Sequence, residues 1–261
     1  MDKQDYFKDL KDEKILKTRE VRKIFNDVFD KATMDIIVEF SRKKVIDEIE
    51  FCIATGKEGN VFRCKSGNNF YALKIYKIET SDFKHMMEYI TGDERFKDVR
   101  KDKLGIVSAW TRKEYKNLEE LTKARIRVPL PIAFKRNCLI MEFIGTNGEA
   151  ARKAKDKPFA DMEEKYDLIC DYLAKMVKRK LVHSDLSEYN ILNNNEELVV
   201  IDVGQTVSTL HPNAKEFFDR DVTNLAKWFS KHGVKTDYDK MYKDIQEKNK
   251  EKIKTKKLIK K

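Results

Sequence analysis

Glycine and proline are scarce in this chain of 261 residues, at 9 and 4. That excludes a collagen-like repeat and argues against a turn-rich β-sandwich. The four cysteines, Cys52, Cys64, Cys138 and Cys170, are scattered with no C-x-x-C pair. Neither a zinc site nor a disulfide framework is signalled, and four reduced thiols are expected. No apolar run approaches the roughly 18 residues needed to span a bilayer. Residues 1–14 are charged throughout, unlike a secretory leader. A cytoplasmic protein with no membrane partner is the expectation.

Hydrophobic residues make up 41% and charged residues 38% of the chain, a balance that argues against disorder and for a helix-rich globular protein. Lys and Arg number 55 against 45 Asp and Glu, a formal charge of +10. Such an excess favours polyanions, whether nucleotide, RNA or an acidic surface, without choosing among them. The length suffices for two lobes.

Residues 1–48 are charged, with Ile24, Val28, Phe29, Met34, Ile37 and Val38 at helical spacing, and read as two or three helices flanking the remainder of the chain. From 49 the period changes to strands at 49–54, 60–63 and 70–76, an antiparallel meander. The first turn of this meander reads Ala54, Thr55, Gly56, Lys57, Glu58, Gly59, Asn60, Val61. Glycines here would let backbone N–H groups approach phosphate oxygens; an ordinary hairpin turn is the other reading. In the third strand Lys74 stands inside an apolar run, where a buried ammonium needs a partner. An edge-strand or snorkelling lysine is the alternative.

Residues 79–107 are charged and too long for an ordinary connection, so a mobile loop that covers a cleft or contacts a partner is one expectation and a plain solvated loop with some helix the other. A helix over 110–124 then places Glu114, Leu118 and Leu121 on one face. An acid on a buried face wants a cation. Lys74 is the candidate, with surface pairing to Lys113 or Arg112 as the alternative. Strands at 132–134 and 138–141 come after the Val128-Pro129-Leu130-Pro131 break. A helix over 163–180 carries Leu168, Tyr172, Leu173, Met176 and Val177 as a core stripe. Helices over 219–230 and within 237–261 close the chain. The basic stretch 248–261 is either a solvated tail or a nucleic-acid contact.

The densest chemistry lies in 181–204, LVHSDLSEYNILNNNEELVVIDVG. Two β-branched pieces, 190–192 and 198–203, flank a polar turn and predict a short hairpin. Asp185 and Asn190 lie on the loop entering it and Asp202 at its exit. Phosphoryl transfer needs a carboxylate to orient a hydroxyl or water, and an amide oxygen with another carboxylate to hold Mg²⁺ against phosphates. This stretch supplies all three.

His183-Ser184-Asp185, four residues and Asn190, followed by Asp202-Val203-Gly204, resembles the protein-kinase catalytic loop and Asp-Phe-Gly motif. With VHSDLSEYN, IDVGQ, ATGKEGNV and HPNAKEFFDRDVTN all present, the sequence resembles the RIO family of atypical kinases over about 45–235. The resemblance is closest to the first of its subfamilies. It implies an α+β, trimmed two-lobe protein-kinase-like fold with N-terminal helices. An N-lobe of antiparallel sheet plus helix would span 49–145, and a mostly helical C-lobe 146–247. It also implies use of ATP with Mg²⁺ or Mn²⁺, phosphorylation of serine, often of itself, and a part in maturation of the small ribosomal subunit, with its precursor RNA as partner.

Carried over by position, Lys74 would hold the α- and β-phosphates, with Glu114 holding Lys74. Asp185 would be the catalytic base; Asn190 and Asp202 would bind the metal. The nucleotide would be lined by Ala54 to Val61, Ala72, Lys74 and Asn190. Met141, Glu142 and Ile144 stand where kinases have the hinge that meets adenine through main-chain groups. RIO proteins are also similar to ATPases that pass phosphate through an aspartyl-phosphate, for which Asp202 would be the residue. The alternative to a kinase is thus an ATP-gated assembly factor whose turnover triggers release. Two departures stand out. Ser184 replaces the usual arginine before the catalytic aspartate, and there is no A-P-E motif, so an ordinary peptide-substrate platform is not expected. Asp221 could accept bonds from the catalytic-loop backbone or cap its own helix.

Overall fold

The protein is described from a computed structural model, which covers residues 15–96 and 99–258, with the side chains of 26–28 and 251–258 excepted. The described residues of 1–87, 98–115 and 130–150 form one compact unit, and those of 88–97, 116–129 and 151–261 a second.

In the first unit, α1 (Arg19–Val28) and α2 (Lys31–Arg42) are each started by a side-chain cap. Thr18 accepts from the Val21 amide at 3.2 Å and Asp30 from the Thr33 amide at 2.8 Å, satisfying N–H groups that a helix start leaves without partners. The strands β1 (Glu48–Thr55), β2 (Gly59–Ser66), β3 (Asn69–Tyr76), β4 (Pro131–Lys135) and β5 (Cys138–Glu142) form a five-stranded sheet in the order β1-β2-β3-β5-β4. Every pairing in it is antiparallel. Period-2 alternation puts Phe62, Cys64, Leu73 and Ile75 into a core shared with Val21, Phe25, Met34 and Ile37 of the two helices. Rings of Phe25, Phe29 and Phe62 meet at 5.0 to 6.1 Å, so the N-terminal helices belong to the same core as the sheet.

In residues 79–107 the structure favours the reading with helix over that of a long mobile loop. They carry α3 (Phe83–Ile90), a 3₁₀ turn (Glu94–Phe96) and the start of α4 (Lys103–Lys123). Met86, Tyr89, Ile90 and Phe96 are buried, and burial of those four outweighs the charged surroundings. Helix α4 starts seven residues before the expected Trp110. Gly105 in its first turn tolerates a close approach, since a Cβ there would lie 2.5 Å from the Arg100 carbonyl oxygen. A two-stranded ribbon, β6 (Gly145–Thr146) with β7 (Glu149–Ala150), ends the first unit.

The second unit is mostly helical. It contains β8 (Arg152–Lys153), α5 (Met162–Lys178), β9 (Leu181–Val182), the hairpin β10 (Ile191–Asn194) and β11 (Glu197–Val200), β12 (Val207–Ser208), α6 (Ala214–Lys231) and α7 (Tyr238–Leu258). β11, β10 and β8 form one sheet, and β12 pairs with β9. The buried stripe of α5 runs through Tyr166, Ile169, Cys170, Leu173 and Met176; Leu168 and Val177, expected in it, are only half-buried. Helix α6 begins directly after His211-Pro212, five residues earlier than its apolar period suggests. Cys64, Cys138 and Cys170 are buried, and all four cysteines are free thiols.

Candidate active site

In the first unit Lys74 lies on β3, an interior strand of the sheet, with β2 on one side and β5 on the other. The edge-strand reading is therefore excluded. Its Nζ donates to Oε1 of Glu114 at 2.9 Å. Glu114 is 1% exposed and also accepts from the Tyr76 hydroxyl. A carboxylate this buried is tolerable because a cation and a phenol share its two oxygens. The surface alternative for Glu114 does not hold.

The turn between β1 and β2 is closed by the Gly56 amide donating to the Gly59 carbonyl at 2.8 Å. Lys77 Nζ donates to the Gly56 carbonyl at 2.8 Å. The two glycines have different causes. At Gly59 a Cβ would lie 2.5 Å from the Ile75 carbonyl oxygen, so the neighbouring strand itself demands glycine. At Gly56 the nearest atom would be 3.4 Å away, which leaves room for a small side chain. Asn60 is buried, with its side-chain oxygen lacking a hydrogen-bond partner. Across the strands Val61 is opposite Lys74, and Ala72 opposite Met141. Glu142 donates its amide to the Leu130 carbonyl at 2.8 Å, and Ile144 lies just past β5 as a buried residue.

In the second unit the loop between β9 and β10 carries Asp185, half-buried, and Asn190. Both amide hydrogens of Asn190 are directed at Asp185, Nδ2 lying 2.8 Å from its carbonyl and 3.0 Å from Oδ2. That orientation leaves the Asn190 side-chain oxygen as the accepting atom. Gln205 Nε2 lies 3.4 Å from the same Asp185 Oδ2. Beyond the hairpin, the Ile201 amide donates to the Asn190 carbonyl at 2.9 Å, which brings the start of the Asp202 turn beside Asn190. Asp202 is exposed and left-handed, at φ 58° and ψ 55°. L-residues adopt that region at a cost of about 1 kcal/mol, so surrounding bonds must maintain it.

Asp221 of α6 does not cap its own helix. Its Oδ2 accepts the Ser184 amide at 2.9 Å and its Oδ1 the Leu186 amide at 2.8 Å, the two N–H groups that bracket Asp185. Ser184 is itself left-handed at φ 74° and fully buried. Complete burial pushes the Asp221 carboxyl up to about 7, against the opposing pull of the two amides and of Arg220.

Sequence reasoning missed the groups around these loops. Arg220 donates to the Ser184 carbonyl. Asn117 donates to the carbonyls of Val203 and Thr206 at 2.8 and 3.1 Å, and Arg95 reaches Thr206 as well. The signals were slight: Asp93-x-Arg95 inside an expected loop, an asparagine on a helix face, and an arginine beside Asp221.

Mg²⁺ prefers oxygen donors, keeps several waters, and commonly takes only one or two protein ligands beside substrate phosphates. The oriented amide oxygen of Asn190 and the exposed carboxylate of Asp202 fit that donor set. Among the described residues no group of three or more His, Cys, Asp or Glu could hold a metal ion by itself. No helix among them is long and apolar enough to cross a membrane.

A lysine held by a helix carboxylate on an antiparallel sheet, with an aspartate-asparagine loop leading to a second carboxylate, defines the protein-kinase-like class of phosphotransferases. A family model for the RIO domain matches residues 60–241. The chain is 42% identical over 228 residues to the RIO-type serine/threonine-protein kinase Rio1 of Haloferax volcanii, covering 87% of this chain and 79% of that one. It is 37% identical over 234 residues to Rio1 of Methanocaldococcus jannaschii, covering 89% and 80%. The chain belongs to the RIO family of serine/threonine-protein kinases, in its Rio1-type branch. Its fold is similar to that of the Rio2 kinase of Chaetomium thermophilum, solved as an ADP/Mg²⁺-phosphoaspartate complex. The TM-score is 0.60 at 20% identity, over 85% of this chain and 76% of that one.

Proposed function

We propose that this kinase transfers the γ-phosphate of ATP, with Mg²⁺ or Mn²⁺, to serine or threonine hydroxyls, its own included, during maturation of the small ribosomal subunit. The observation that supports the chemistry is the Asp185–Asn190 pair, in which the Asn190 amide nitrogen faces Asp185 and its oxygen is left to accept. Asp185 orients the attacking hydroxyl and takes its proton. Lys74, held in place by Glu114, would neutralise the α- and β-phosphates, and the 54–61 turn would meet phosphate oxygens through its backbone N–H groups. Asn190 and Asp202 would hold the metal, which would supply positive charge to offset that of the phosphates. Ala72, Met141, Glu142 and Ile144 line the adenine. The ribosomal assignment rests on family membership and on the formal charge of +10, suited to an RNA-rich partner.

A second reading is favoured by one observation. Asp202 is exposed, and the similarly folded Rio2 kinase was solved as a phosphoaspartate complex. On that reading Asp202 accepts the phosphoryl group and water releases it, so that turnover times dissociation from the ribosomal precursor. One experiment separates the two: follow the γ-phosphate of labelled ATP in the wild type and in Asp185→Asn. Acid-stable protein label that disappears in the variant supports the serine/threonine kinase. Hydroxylamine-labile label with free phosphate supports the switch. No turnover in the wild type would overturn both.

A further inference from the structure

The turn that carries Asp202 is held by a polar chain running through three separate segments of the second unit, in which Asp93 and Asn117 are buried and Arg95 between them is exposed at the surface. It starts at Asp93, which is 2% exposed and grips Arg95 in a fork, Nε to Oδ1 at 2.9 Å and NH2 to Oδ2 at 2.6 Å. Arg95 NH1 donates to Asn117 Oδ1 at 2.9 Å, and NH2 to the Thr206 carbonyl at 3.2 Å. With its oxygen taken by Arg95, the fully buried Asn117 amide faces the turn and donates to the Val203 and Thr206 carbonyls. Each link fixes the orientation of the next. A planar guanidinium is needed because it must meet a carboxylate, an amide oxygen and a carbonyl at once.

The segment bearing Arg95 is itself anchored. His211 Nε2 lies 3.0 Å from both the Glu88 and Thr91 carbonyls. Tyr89 stacks on Phe217 at 5.1 Å. Gly92, at φ +91°, passes so close that a Cβ would lie 2.9 Å from Pro212 Cδ. Asp202 therefore sits between two fixed points, Ile201 bonded to Asn190 and the 203–206 turn bonded to Asn117 and Arg95. Its left-handed backbone would not persist unaided.

We propose that Arg95, acting through Asn117, is a positioning residue that sets the Asp202 carboxylate for the metal. This rests on reading Asp202 as a metal-holding group. Outer partners of metal ligands commonly change affinity by 10- to 100-fold when altered. The test measures Mn²⁺ binding in the presence of ADP, by the paramagnetic resonance of free Mn²⁺, for the wild type, Arg95→Lys and Asp202→Asn. Arg95→Lys keeps a cation beside Asp93 and loses the fork. Its expected outcome is Mn²⁺ affinity roughly 10-fold weaker, and a kcat lowered by a similar factor that high Mg²⁺ largely restores. A merely structural role would lower the amount of active protein with Mn²⁺ affinity unchanged, and that result overturns the proposal. If Asp202→Asn also leaves Mn²⁺ binding intact, the metal reading of Asp202 fails; if it abolishes binding while Arg95→Lys does not alter it, only the Arg95 role fails. Where Arg95→Lys does not fold, Asp93→Asn with Arg95→Gln serves, since no buried charge is left alone, and the same two outcomes decide.

Discussion

Glu114 in the first unit and Asp221 in the second are carboxylates of nearly the same burial, 1% and 0% exposed. They meet different partners. Glu114 faces a lysine and a phenol, while Asp221 faces two backbone amides. The first arrangement fixes a side chain, because an ion pair localises the mobile ammonium of Lys74. The second fixes a backbone, because two N–H groups two residues apart can reach one carboxylate only if the loop between them is bent. Charge pairing thus places the group proposed to meet phosphate, and backbone capture places the group proposed to take the proton.

The largest expected effect breaks the second half of this comparison. Asp185→Asn should lower phosphoryl transfer by about 10³-fold, with ATP affinity changed less than about 3-fold, since orienting the hydroxyl belongs to the transition state. Turnover and equilibrium nucleotide binding, measured side by side, check this. Next comes the first half. Lys74→Met leaves Glu114 buried without its cation and should cost about 3 kcal/mol of stability, while adding Glu114→Leu should recover most of it. Urea unfolding of the single and double variants reads the difference; equal midpoints would mean the pair is not energetically coupled. Tyr76→Phe removes only the second partner of Glu114 and should cost about 1.5 kcal/mol, read in the same unfolding series.

A pH dependence tests the backbone-capturing carboxylate in a different way. In the folded protein Asp221 holds its proton up to about 7, whereas in the unfolded chain it releases it near about 4. Between those values the folded state binds more protons, so the contribution of Asp221 to stability is complete below about pH 4 and is lost as pH rises toward 7. Asp221→Asn should therefore cost more at about pH 5 than at about pH 8, by roughly 2 to 3 kcal/mol. A cost independent of pH would show that the carboxyl is ionised throughout this range.

Much of this was legible from local pattern. The hairpin of β10 and β11, the spacing of Asp185, Asn190 and Asp202, and the meander with Lys74 on its third strand all depend on neighbours within a few residues, and alternation or turn chemistry reports them directly. The partnership of Lys74 with Glu114 was legible for another reason: an acid on the buried face of a helix and a lysine in an apolar strand each lack a partner, and the deficits match. The role of Gly59 was not. Its lack of a side chain answers to the Ile75 carbonyl of the adjacent strand, a distance no linear spacing contains.

The sequence by itself determined which elements form and which side chains carry the chemistry, because hydrophobic period and polar deficit are properties of short stretches. Only the tertiary structure decided that residues 83–96 are ordered by burying Met86, Tyr89, Ile90 and Phe96. Only it decided that Asp221 serves the loop around Asp185 rather than its own helix, and that Arg95 and Asn117 hold the turn after Asp202. Those are hydrogen bonds to backbone carbonyls and amides, which nearly every residue possesses. Sequence identity therefore does not encode the partner; the packing that brings the segments together chooses it.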